Sequence, residues 1–90
     1  MNLQNKVTIP AQVMASQLDD ELVILDLASN SYFGLNPVGA TIWHFLSEGK
    51  TLAETCHAMV NKYDVAPDEI ERDVVQLTNE LVTKKLLQIQ

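Results

Sequence analysis

Positive charge is scarce in this chain: 6 Lys and Arg stand against 12 Asp and Glu, a formal net charge of −6. Phosphate-backbone binding needs Lys and Arg to displace counterions, so the deficit argues against DNA or RNA as the main partner. It argues equally against anionic membrane surfaces. Cysteine is nearly missing, and Cys56 alone cannot form an intramolecular disulfide, which fits a reducing compartment. No apolar run approaches the roughly 18 residues of a membrane span, and the start, Met1 to Lys6, lacks the apolar core of a signal peptide. A cytoplasmic protein without membrane contact is the expectation. Glycine is limited to Gly34, Gly39 and Gly49, so there is no Gly-rich phosphate loop. A length of 90 residues allows one domain spanning 1–90, with a thin core and little room for an enclosed active site.

What is present is a folded chain: 47% of the residues are hydrophobic and 20% charged, which excludes a disordered acidic tail. The pattern changes at Asn36-Pro37, with short β-type runs before it and three helical periods after it. Val7-Thr8-Ile9 reads as a short strand stopped by Pro10, within a loosely ordered segment 1–10. Gln12 to Gln17 alternates loosely up to the turn signal Asp19-Asp20. Glu21 to Leu27 is the strongest strand, and its continuous apolar stretch implies burial on both faces and a central position. Ala28-Ser29-Asn30-Ser31 supplies hairpin residues, so Tyr32-Phe33-Gly34-Leu35 returns antiparallel as a third strand.

Asn36 is an N-cap with Pro37 at the first helical position, opening a helix to about Ser47 with Gly49 beyond its end. Thr51-Leu52-Ala53-Glu54 is a capping box for a second helix ending near Asp64. Pro67 opens a third helix reaching about Lys85. On that helix Ile70, Val74, Leu77 and Leu81 form a narrow core stripe, and Val75, Thr78 and Val82 a second one rotated from it. The second stripe is either a broad core face or one wall of an apolar groove. The fold class this order implies is α+β, a winged helix-turn-helix with an antiparallel three-stranded sheet followed by three helices.

Catalytic groups are few. Cys56 and His57 are adjacent on a helix and point about 100° apart, so they cannot act together as nucleophile and base. His44 and His57 have no second metal ligand at helical spacing. Neither an enzyme nor a metal or cofactor site is expected. In a DNA-reading winged helix the N-terminus of the third helix enters the major groove. Here that end carries Asp68, Glu69, Glu71 and Asp73 against Arg72, the wrong sign for phosphates. A DNA-binding regulator and a scaffold subunit of a modifying enzyme remain as possible uses of this architecture.

Leu22-Val23-Ile24-Leu25-Asp26, then Ser31 to Trp43, Glu48-Gly49-Lys50-Thr51-Leu52, Asp73-Val74 and Leu81 to Leu87 resemble, in order and spacing, the PqqD-like family of peptide-recognition elements. The resemblance covers roughly Glu21 to Ile89. The run Tyr-x-x-Leu-Asn-x-x-Gly-x-x-x-Trp from Tyr32 to Trp43 is similar to the stand-alone members from lasso-peptide clusters. Two positions depart from the family: Lys85 where it often has Gly, and Ala66 where it often has Asp or Ser. The resemblance implies a domain that binds the leader of a ribosomally made precursor peptide and presents it to a leader peptidase or other modifying enzyme. It further implies that the leader adds as an antiparallel strand to the third strand and packs on the third helix. Ser31, Tyr32, Phe33, Gly34 and Leu35 would then offer main-chain bonds, with Val75, Thr78 and Val82 as pockets and Glu71 either an attractor of basic side chains or part of a solvated helix face. Gly34 would admit a close backbone or mark a local kink, and Tyr32 and Trp43 belong either to the core or to the site.

Overall fold

A computed structural model describes residues 2–90. Its elements are β1 (Val7–Thr8), β2 (Val13–Leu18), β3 (Glu21–Asp26), β4 (Ser31–Leu35), α1 (Pro37–Ser47), α2 (Leu52–Lys62), α3 (Pro67–Thr83) and β5 (Gln88–Ile89). β2, β3 and β4 form an antiparallel sheet in that order, so β3 is central and β4 is an edge. With the three helices this is the α+β winged helix-turn-helix that the sequence implies; β4 is the third strand of that reading. Asp19 and Asn30 take φ of 53° and 60° where the two hairpins reverse, a backbone state that short polar side chains tolerate.

β3 is central but is not covered on both faces. Leu22, Ile24 and Asp26 are buried, whereas Val23 and Leu25 are half-buried. The helices cover the Leu22–Ile24 face only, and the other keeps Met14, Leu18 and Tyr32 at 52%, 57% and 76% exposure. Asp26 earns its buried place by accepting the Ala28 amide at 2.9 Å, which closes the hairpin. The core beneath the sheet joins Ile24 and Leu35 to Trp43 and Leu46 of α1, Leu52 and Met59 of α2, Ile70, Val74 and Leu81 of α3, and Leu86 and Leu87. Trp43 is therefore a core residue and Tyr32 a surface one.

The first residues, expected to be loosely ordered, make specific contacts. β1 pairs antiparallel with β5. The Leu52 and Ala53 amides donate to the carbonyls of Asn5 and Leu3 at 3.0 and 2.8 Å, satisfying donors that the first turn of α2 leaves free.

Each helix end has a local cause. The Asn36 side chain accepts the Gly39 amide at 2.8 Å. In the α2 capping box Glu54 N–H donates to Thr51 Oγ1 at 3.0 Å and Thr51 N–H donates to Glu54 Oε1 at 2.8 Å. α1 and α3 end alike. Gly49 N–H reaches Leu46 O and Lys50 N–H reaches Phe45 O, at 3.1 and 3.4 Å. Lys85 N–H reaches Val82 O and Leu86 N–H reaches Leu81 O, at 3.0 and 2.8 Å. Both are Schellman closures through one left-handed residue: Gly49 at φ 91° in α1, and the non-glycine Lys85 at φ 63° in α3. α3 thus stops at Thr83, two residues short of the sequence expectation.

Candidate functional site

β4 pairs with β3 on one side only, so its other edge carries backbone donors and acceptors with no strand beside them among the described residues. Between that edge, the first turns of α1 and one flank of α3 opens a cleft of ≈ 390 Å³. Its floor is apolar: Leu35 and Ile42 are buried and Phe33 and Leu77 are half-buried. Asn36, Asp73, Gln76 and Glu80 give it a polar rim. The helix runs back along the strand, because Lys84 beyond its C-terminus lies over the Phe33 ring, Nζ 5.4 Å from the centroid. Asp73, eleven residues before Lys84, lines the same cleft and lies about 16 Å from Lys84 along the helix axis, toward the other end. A smaller hollow continues past Phe33, lined by Ser31, Tyr32, Lys84 and Leu86.

The sheet side of the expected site is brought together here: Phe33, Gly34 and Leu35 line the cleft, and Ser31 and Tyr32 the adjoining hollow. The helix side is not. Thr78 is fully buried and donates to Val74 O at 2.7 Å, so it is a core residue and offers no pocket. Its hydroxyl bonds its own helix, which lets the side chain pack like valine. Glu71, Val75 and Val82 also lie off the cleft, on the flank turned the other way around α3. The Glu71 carboxylate acts on Cys56 of α2, which locates that flank against α2. Leu77 takes the groove position that the sequence assigned to Val75. The signal was available: Asp73, Gln76, Leu77 and Glu80 recur at three- and four-residue spacing on one flank, but a stripe with one apolar member does not stand out.

Gly34 is not a kink, since it continues the ladder opposite Val23. A Cβ there would meet Glu21 Oε2 at 2.6 Å. The missing side chain makes room for a carboxylate lying over the sheet, perpendicular to the plane in which a further strand would pair.

Burial and the Glu71 carboxylate push the Cys56 thiol above its ordinary value, holding it protonated, while a nucleophilic cysteine needs the opposite shift. Among the described residues no three His, Cys, Asp or Glu side chains gather as a metal site requires. No helix among them is long and apolar enough to cross a membrane.

A family model described as coenzyme PQQ synthesis protein D (PqqD) matches residues 21–87. The structure of TbiB1 in complex with the TbiA(beta) leader peptide is 39% identical, with a TM-score of 0.83 over 89% of this chain and 93% of that one. The structure of lasso peptide synthetase B1 complexed with the leader peptide is 26% identical, with a TM-score of 0.85 over 91% of this chain and 96% of that one. No curated protein matches the chain.

Proposed function

The chain belongs to the PqqD family, and from that premise we propose that it is a non-catalytic adaptor binding the leader of a ribosomally made precursor peptide, in lasso-peptide biosynthesis. The leader adds as an antiparallel strand to the free edge of β4 and rests its inward side chains in the cleft against α3. A leader peptidase or another modifying enzyme of the same pathway then acts on the leader so held. Main-chain bonds to Ser31–Leu35 supply affinity, and the apolar floor admits alternate side chains and so sets the register. The observation that carries the reading is the coincidence of an unpaired strand edge with an apolar cleft on a fold shared with two leader-bound structures. Among its described residues, 2–90, the chain offers one such edge-and-cleft combination.

Titration of a fluorescent TbiA(beta) leader peptide tests this. Leu77→Glu should weaken binding at least tenfold with the circular dichroism spectrum unchanged. Val75→Glu, on the flank facing α2, should leave affinity within about twofold if the variant folds. Equal loss in both variants, or no binding by the parent chain, would refute the cleft assignment.

A further inference from the structure

We propose that the cleft reads the order of charges along its peptide, taking cationic side chains in the N-terminal half of the bound strand and an anionic one at its C-terminal end. This deepens the strand-addition reading and rests on it. The charges along the walls are sorted by sign. Asp73 and Glu80, about 10 Å apart along the helix axis, overhang the main cleft with Gln76 between them, and no Lys or Arg lines it. Past Phe33 the sign reverses: the ≈ 220 Å³ hollow beside Ser31 and Tyr32 has Lys84 as its charged wall, followed by the exposed Lys85.

These charges are free to act on a ligand. The one ion pair among the described residues is Lys50–Glu48, at 3.9 Å. Asp26, opposite Ser31 on β3, is buried with its Oδ1 accepting the Ala28 amide, and it forms no ion pair with Lys84. Lys84 is held in place by the Phe33 ring. Glu80 and Lys84 are one helical turn apart, about 6 Å, close to the roughly 7 Å between alternate residues of a strand. The sign change therefore falls between two successive side chains on the same face of an added strand.

A strand antiparallel to β4 enters beside Leu35 and leaves beside Ser31. Its first half runs past Asp73 and Glu80, and its end meets Lys84. A two-residue slip, or a strand inserted in the reverse direction, places like charges together beside a low-dielectric floor. The arrangement thus rejects wrong registers as well as attracting the right one.

The probe is a randomised dodecapeptide library displayed on phage. It is panned against the parent chain, against Leu77→Glu, and against a variant combining Asp73→Lys, Glu80→Lys and Lys84→Glu, three exposed positions. Peptides that bind the parent and are lost with Leu77→Glu occupy the cleft. Among these, Lys or Arg should precede Asp or Glu, and the triple variant should reverse that order, with at least tenfold relative enrichment each way. Cleft peptides showing alternating apolar residues but no charge order, or the same order with both proteins, would overturn the charge reading and leave strand addition standing. Enrichment of nothing, or only of peptides indifferent to Leu77→Glu, would overturn strand addition and this inference with it.

Discussion

Two threonines show how much a single hydroxyl decides. Thr55 and Thr78 are both fully buried. Thr78 Oγ1 donates to Val74 O at 2.7 Å, whereas Thr55 Oγ1 has no hydrogen-bond partner among the described residues. Burying an unbonded hydroxyl costs about 1–3 kcal/mol, so Thr55→Val, which keeps the shape, should raise the unfolding free energy by about 1 kcal/mol in urea titrations. Thr78→Val should lower it by up to about 1 kcal/mol, through loss of its hydrogen bond. A stability loss for Thr55→Val would show that its hydroxyl is bonded after all. Thr78 also bears on the helix side of the candidate site, where Glu71, Val75, Thr78 and Val82 all lie off the cleft. Helical spacing sets Thr78 with Val75 and Val82 on a second stripe, either core or groove wall, and Leu77 on the core stripe. Because the polarity of Thr78 is spent on its own helix, the buried face of α3 centres on Val74 and Thr78, turning Leu77 out toward β4.

At the scale of elements, the helix boundaries were written plainly in the sequence, because Asn36-Pro37, Thr51 to Glu54, Gly49 and Pro67 act through contacts within one turn. The end of α3 was not. Lys85 gives no left-handed signal, yet the Leu81–Leu86 contact and the two closing hydrogen bonds impose that conformation. α1 ends in the same motif with Gly49 and serves as an internal reference. A left-handed non-glycine residue costs about 1–2 kcal/mol, and glycine returns about 0.5–1 kcal/mol of that in unfolded-chain entropy. Lys85→Gly should therefore stabilise the protein by about 0.5–1 kcal/mol in thermal or urea unfolding; no change would mean that Lys85 is unstrained. The start of α2 carries a pH dependence. The Thr51 amide and hydroxyl hold the Glu54 carboxyl below its ordinary value of 4.5. A lowered pKa stabilises the fold fully above that value, and the contribution disappears as pH falls through the folded-state pKa. Wild type should exceed Glu54→Gln in stability at neutral pH, and the difference should close on acidification below about pH 4.5; a constant gap would contradict the capping role. The one-sided burial of β3 departs from what its apolar run implies for a non-local reason: such a run shows that both faces can be covered, while the placement of the helices decides that only one is.

Across the whole molecule, the net charge of −6 has a location. Asp73 and Glu80 rim a cleft that β4, α1 and α3 build together, so part of the charge that argues against a phosphate backbone as partner lies where the proposed peptide's basic side chains would meet it. The central claim is that a peptide strand completes the sheet at β4. Amide hydrogen exchange of the chain with and without the TbiA(beta) leader peptide tests it most directly. New protection should appear in Ser31–Leu35 and in the Asp73–Glu80 stretch of α3, with β2, the other edge of the sheet, unchanged. Protection of β2, or of the helices with Ser31–Leu35 exchanging as before, would contradict it.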